Sequence, residues 1–266
     1  MDLELTGKVA LVSGGSRGIG KAIARQLAIE GAAVVITARN EESLKATANE
    51  LARETGRRIV PLAVDTSDDA SVAAMVASAV SAFGRIDILV NCAAQPAGAT
   101  AAPKLGGITD EIFWGDMNVK VLGYIRTARE VAPHMIGQGW GRIINVSGLA
   151  ARQTGSIIGT IRNVSVSALS KNLADDLGPQ GINVTTVHPG TTRTERTPGM
   201  IASRAEQQGV SEEEMEQRMA GGNTINKIVD AREIAWVVAF LASPKSVAIN
   251  GDTIGVGGGT PGAVYY

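Results

Sequence analysis

The chain has 266 residues, 44% of them hydrophobic, with 25 basic against 26 acidic side chains and a net charge of −1. That size suits one sizeable core, and the scattered, balanced charge offers neither the basic footprint of a nucleic-acid binder nor a membrane-seeking patch. A single cysteine, Cys92, excludes an internal disulfide; no apolar run reaches the roughly 18 residues of a membrane helix, and the start MDLELTGKVALV lacks the pattern of a secretion signal, so a reduced, cytoplasmic protein is expected.

Short β-branched runs alternate with longer segments of helical period. Seven strands are predicted, at 8–14, 32–38, 58–65, 86–92, 141–147, 182–188 and 252–258. Most are apolar on both faces, as strands buried in a parallel sheet are. Ile19, Ile23 and Leu27 fall four apart, as do Val72, Val76 and Val80, which gives each of those helices one core-facing stripe. The expected fold is therefore α/β: a Rossmann-type, doubly wound, parallel seven-stranded sheet with helices on both faces, in a single domain over 1–266. Asp230 with Glu233 predicts a capping pair that opens the last long helix. One stretch, 191–229, escapes the alternation and is a candidate substrate lid.

The first turn after a strand reads SGGSRGIG, at 13–20. Gly14 suits a tight turn, Gly18 close approach of backbone to a phosphate, and Gly20 close packing of helix on strand, so that a pyrophosphate would sit on N–H groups at the positive end of the helix dipole. Where an NAD-binding fold places a carboxylate at the end of the second strand, this chain has Ala38 and then Arg39, and Arg17 lies within the glycine turn. Two guanidinium groups suit a 2′-phosphate that a carboxylate would repel, so NADP(H) is preferred over NAD(H).

With these motifs the chain resembles the short-chain dehydrogenase/reductase family over essentially its full length. The glycine turn corresponds to the family's TGxxxGxG, with Ser13 for threonine. Asp65, beside Thr66, matches the aspartate that meets the adenine. Asn91-Cys92-Ala93-Ala94 matches NNAG, with Ala94 for the glycine, and Asn118 matches the helix asparagine. Pro189-Gly190, followed by Thr192 and Thr194, resembles the PGxxxT segment that holds the nicotinamide amide. The resemblance implies cofactor contacts from Gly14, Ser16, Arg17, Gly18, Ile19, Gly20, Arg39, Asp65, Thr66, Asn91, Ala93, Asn163, Pro189, Gly190, Thr192 and Thr194. It also implies hydride transfer with a small organic substrate, no metal, and a homotetramer or homodimer.

The family's chemistry implies a tyrosine acid, a lysine four residues on and a serine. A phenol of pKa ~10 works near pH 7 only beside a cation. The three tyrosines here are Tyr124, Tyr265 and Tyr266, and none has lysine four positions later. Registering the helix on LADDLGPQGINV puts Gly159 at the tyrosine position and Asn163 at the lysine position. Gly148 follows Ser147 where the family has a second serine.

Retained or replacement catalytic candidates are Asn118, Ser147 and His188, the last at a strand end with an imidazole that titrates near neutrality in an ordinary setting. Arg152 and Arg162 flank the altered segment and are candidates to bind an oxyanion or carboxylate. His134, Asp175 and Asp176 are read as surface groups and Cys92 as inert packing, while Tyr265 and Tyr266 are candidates to reach a neighbouring subunit's site. Three readings stay open: an NADP(H)-dependent oxidoreductase with a non-standard site, a non-redox lyase, isomerase or dehydratase on the same scaffold, or a catalytically silent NADP-binding or regulatory subunit.

Overall fold

A computed structural model describes residues 1–95 and 102–262. Tyr265 and Tyr266, with the donation in trans expected of them, lie outside the described residues. The elements run β1 (Val9–Ser13), α1 (Gly18–Ile29), β2 (Ala33–Ala38), α2 (Glu41–Thr55), β3 (Ile59–Ala63), α3 (Asp69–Phe83), β4 (Ile88–Asn91) and α4 (Asp110–Met117). A π-helical turn (Asn118–Leu122) joins α4 to α5 (Gly123–Gln138), followed by β5 (Gly141–Val146), α6 (Ile157–Leu177), β6 (Ile182–Pro189), β7 (Thr192–Arg193), α7 (Thr197–Gln208), α8 (Glu212–Ala220), β8 (Val229–Asp230), α9 (Ala231–Ala242) and β9 (Thr253–Val256).

Seven strands pair in the order β3-β2-β1-β4-β5-β6-β9, all parallel, as expected. Helices α1, α2 and α9 cover one face through Ile23, Leu27, Leu44 and Val238; α3, α5 and α6 cover the other through Val72, Val131 and Ala174. The order reverses between β1 and β4, and at such a switch point the strand C-termini open a crevice. Pro61 lies in β3, which is an edge strand and tolerates a residue without an N–H. The predicted strands overrun most at this crevice end: Asp65 and Cys92 belong to the connecting loops, where backbone leaves the ladder to face a ligand.

Asp230 and Glu233 form the predicted capping box of α9. The irregular stretch 191–229 contains two helices with a small core of their own, Ile201, Ala205, Met215 and Ile228, and is pinned at its ends by the pairing of β7 with β8. Its charged surface, SEEEMEQRM included, hides that packing from a search for long apolar stripes.

Candidate active site

The glycine turn folds as its composition predicts. Gly14 and Gly18 have φ of 69° and 57°, a region open to glycine at little cost. A Cβ on Gly14 would meet Ala93 Cα at 3.0 Å, and one on Gly20 would lie 2.2 Å from the Gly14 carbonyl oxygen, so strand, turn and helix touch backbone to backbone. Ser13 Oγ clamps the two crevice strands by accepting from Cys92 N–H at 3.0 Å and Ala93 N–H at 3.2 Å.

Arg17 gives α1 no side-chain cap, and no acid lies in its first turn. The N–H groups there are available to an outside anion. One already has such a partner: Gly18 N–H donates to both oxygens of Glu195, at 3.0 and 3.2 Å, from 177 residues away. A carboxylate thus stands where a pyrophosphate oxygen would, and the cradle passes this test of fit. Thr194 approaches the same point, its Cγ2 being the nearest neighbour of a Cβ built on Gly18. The glycine turn and the PG-threonine segment therefore converge, with Pro189 ending β6, Gly190 close against Gly257, and Thr192 Oγ1 donating to the Gly190 carbonyl at 2.9 Å.

Arg17 and Arg39 are exposed and make no salt bridge among the described residues. Asp65 accepts from Ser67 Oγ and N–H at 2.7 and 2.9 Å; these bonds, with Arg39 and Arg126 nearby, hold its carboxyl below the usual carboxylate range. Thr66 is buried and donates to the Val119 carbonyl, while the Ser16 carbonyl accepts from Thr47 and half-buried Ile19 packs on the core. Asn91 takes a different part from the one expected of a nucleotide contact. Its amide donates to Asn145 and accepts from Thr127, and Asn145 in turn donates to Ser170, so it belongs to a fully buried polar ladder under the crevice floor.

Where the family resemblance places its catalytic groups, the side chains are these. Ser156 caps α6 by accepting from Gly159 N–H, and a Cβ on Gly159 would lie 2.8 Å from Ser156 Oγ. Ser147 Oγ donates to the Asn163 carbonyl at 2.9 Å and lies 3.3 Å from its Oδ1. Asn118 opens the π-helical turn, where its carbonyl accepts from Arg126 and its buried Oδ1 has no partner among the described residues. The side chain that reaches the centre from this turn belongs instead to Lys120, 3% exposed, whose Nζ donates to the Ser147 carbonyl at 3.1 Å and to Asn163 Oδ1 at 3.0 Å. Arg162 is spent on Asp116, at 2.6 and 2.7 Å, and Arg152 donates to the Thr253 carbonyl.

One expectation about a proton donor changes. His188 is buried, with Nε2 3.0 Å from Ser167 Oγ and Nδ1 without a partner among the described residues; burial, then Arg152 and Lys120, pull its pKa down to about 4, so at neutral pH it is a neutral imidazole rather than a titrating acid. Tyr124 is locked in the core with its hydroxyl donating to the Val146 carbonyl, and burial raises its phenol far out of reach. Cys92 is inert as read, its thiol pushed up to about 11 by burial, and His134, Asp175 and Asp176 are exposed.

Lys120 was missed because its residue type argues against burial. Helical spacing carried the signal: it lies one turn before Tyr124 and two before Ala128, on the stripe that faces the core. Among the described residues no cluster of metal-ligating side chains occurs, and no helix is long and apolar enough to cross a membrane.

A parallel sheet with a glycine-lined anion cradle at its switch point defines a dinucleotide-binding oxidoreductase fold, and the chain belongs to the short-chain dehydrogenase/reductase family: residues 14–261 match the family model described as enoyl-(acyl carrier protein) reductase. It is an oxidoreductase of that type. It is 36% identical over 254 residues to the short-chain reductase protein NovJ of Streptomyces niveus, covering 95% of this chain and 94% of that one. It is 34% identical over 267 residues to the 3-oxoacyl-[acyl-carrier-protein] reductase FabG of Vibrio cholerae, covering 97% and 98%. Among solved structures, L-sorbose reductase from Gluconobacter frateurii complexed with NADPH and L-sorbose matches at a TM-score of 0.92, 30% identity, and 99% and 100% coverage. An NAD+-bound xylitol dehydrogenase matches at 0.87 and 28%, covering 96% of this chain and 100% of that one.

Proposed function

We propose that this protein is an NADP(H)-dependent oxidoreductase that moves a hydride to or from a small organic substrate in a crevice where Gly159, Asn163 and Gly148 stand at the family's tyrosine, lysine and serine positions. The observation that carries the reading is the anion cradle at Gly18, with Arg17 beside it and Arg39 following a strand end that bears no carboxylate, two exposed cations that form no salt bridge among the described residues. The NADPH named with the sorbose reductase agrees with it.

When bound, the dinucleotide supplies or accepts the hydride. The chain's own part is to hold it: backbone N–H groups of the glycine turn on the pyrophosphate, the two arginines on the 2′-phosphate, Asp65 toward the adenine, and Thr192 and Thr194 beside the nicotinamide. Reduction of a carbonyl also consumes a proton from water, since no phenol stands in the described site. An iminium needs none, because it already carries its proton.

Fluorescence titration tests the cofactor: NADPH is expected to bind at least about tenfold more tightly than NADH, from one or two charge-assisted phosphate contacts, and Arg17→Ala with Arg39→Ala to erase the difference. Equal affinity in the wild type overturns the preference. Absorbance of the reduced nicotinamide is then followed against a ketose, a β-keto ester, a cyclic iminium and an activated alkene. NADPH that binds but is oxidised by none of them shifts the reading to a non-redox enzyme or a silent subunit.

We also assign 191–229 as the substrate lid, because Glu195, near its start, already accepts from Gly18 N–H in the glycine turn and Thr194 lies beside it. Glu195 must leave Gly18 when a pyrophosphate arrives. Glu195→Gln is therefore expected to tighten NADPH binding about threefold, the scale of a charge at a helix N-terminus; unchanged affinity would show that the carboxylate does not compete. A small-molecule substrate and a homo-oligomeric, cytoplasmic enzyme complete the proposal.

A further inference from the structure

We propose that Lys120 supplies the active-site cation from the π-helical turn and acts through Asn163, whose amide N–H is the donor to the substrate oxygen in the space that Gly148 leaves open. This rests on the hydride-transfer reading above and names the groups that serve it.

The geometry forms a chain of three links. Lys120 Nζ donates to Asn163 Oδ1 at 3.0 Å and to the Ser147 carbonyl at 3.1 Å, so the ammonium is fixed by two acceptors from two elements. The amide's orientation is thereby settled: Oδ1 faces the ammonium, and Ser147 Oγ reinforces it from 3.3 Å. Nδ2 is then left on the other side with no hydrogen-bond partner among the described residues. It looks onto Gly148, where an ideal Cβ would stand only 3.2 Å from Nδ2. The missing side chain at 148 is what gives this donor room. An amide whose oxygen is held by an ammonium presents a more polar N–H, fixed in direction before any substrate arrives, which is the condition for stabilising charge that grows on an oxygen.

The turn itself suits the purpose. A π-helical insertion shifts every following side chain around the axis and recurs at functional sites. Here it carries a lysine into the core, while a Cβ on Gly123 just beyond it would stand 3.1 Å from Thr66 Cβ. The titratable and charged groups that face Nζ are Asp116 on its own helix, Arg162 on α6, Cys92 beyond β4 and His188 on β6. Burial above all, then Arg162, brings the ammonium down to about 7. Loss of its charge above neutrality should weaken the donor, so turnover that depends on it falls as pH rises. Lys120 is a positioning residue in this scheme, and Asn163 makes the contact.

Two readouts test it. The first uses 15N-lysine-labelled protein with and without saturating NADPH: one Nζ resonance is expected to titrate near neutrality, to vanish in Lys120→Arg, and to move in Asn163→Ala. The second uses whichever of the four probes the wild type turns over. Lys120→Met is expected to lower kcat about a hundredfold with KM within twofold and to remove the decline of kcat above pH 7. Asn163→Leu, which removes the amide and leaves Lys120, is expected to lower kcat to a similar extent, and the double variant Lys120→Met with Asn163→Leu to be no more than about threefold slower than either single one, because the two residues act as one unit. A Lys120→Met variant with wild-type kcat, or a folded double variant in which the two losses multiply, overturns the proposal. If no probe is reduced, the hydride-transfer reading fails, and the resonance still decides: an Nζ that titrates above pH 10 or ignores Asn163→Ala refutes the placement of Lys120.

Discussion

Gly20→Ala is expected to weaken NADPH binding about a hundredfold or more and to destabilise the fold by roughly 3 kcal/mol, at the upper end of overpacking effects. The added Cβ would stand 2.2 Å from the Gly14 carbonyl oxygen and 2.8 Å from its carbon. Both are backbone atoms, and the turn they belong to is held on either side: Gly15 N–H donates to the Thr37 carbonyl at 3.0 Å, and Gly14 abuts Ala93. Neither can yield alone, so α1 must lift from β1. Its buried residues Ile23 and Leu27 resist, being part of the main core. Lifting the helix also moves the Gly18 N–H away from the phosphate position, so affinity should fall by about two decades for each roughly 3 kcal/mol of misplaced contact. Denaturant melts and NADPH fluorescence check the two parts separately. Gly84→Ala is the contrast: its added Cβ has no neighbour within 4 Å. There the penalty is confined to a φ of 76° at the end of α3, and nucleotide binding should stay intact.

The contrast also explains what could be read from the chain without coordinates. The sheet order follows from the alternation of strands and helices, because a parallel sheet buried on both faces demands apolar runs that few other folds contain. The glycine turn was legible because each glycine answers to a separate steric demand. Gly148 and Gly159 stand out only when the family's frame is laid on the chain; what lies against them does not. The partner of Gly148 is Asn163, 15 residues along, and the partner of Asn163 is Lys120, 43 residues back on another helix. No local period links such positions. Glu195 on Gly18 is the same kind of case, since a carboxylate among the prolines and threonines of a loop carries no mark of the anion site it reaches. His188 shows the converse error: its place at a strand end was correct, but its protonation depends on burial, which residue type alone does not give.

Lys120→Met should change stability in a way that depends on pH and reverses sign. The ordinary lysine pKa of 10.5 is lowered to about 7 in the folded chain, mainly by burial. Above 10.5 the amine is neutral in both states and burial imposes no charge penalty. As pH falls from 10.5 toward 7, the unfolded chain takes up a proton that the folded chain resists, and stability declines by about 1.4 kcal/mol per unit. Below 7 both states are charged and the penalty is complete. Methionine fills similar space without titrating, so the variant escapes this decline, but it forfeits two hydrogen bonds worth about 1 kcal/mol each and leaves their acceptors unpaired. The variant is therefore expected to be less stable than wild type near pH 10 and more stable by roughly 2 kcal/mol at pH 7 and below. Urea denaturation at pH 6.5, 8 and 9.5 measures the slope. A difference that does not vary with pH would mean that the ammonium is solvated rather than enclosed. A gain at neutral pH, coupled to slower turnover, would mean that the wild type retains a destabilising charge at its centre because the reaction uses it, the usual relation between stability and a pre-organised site.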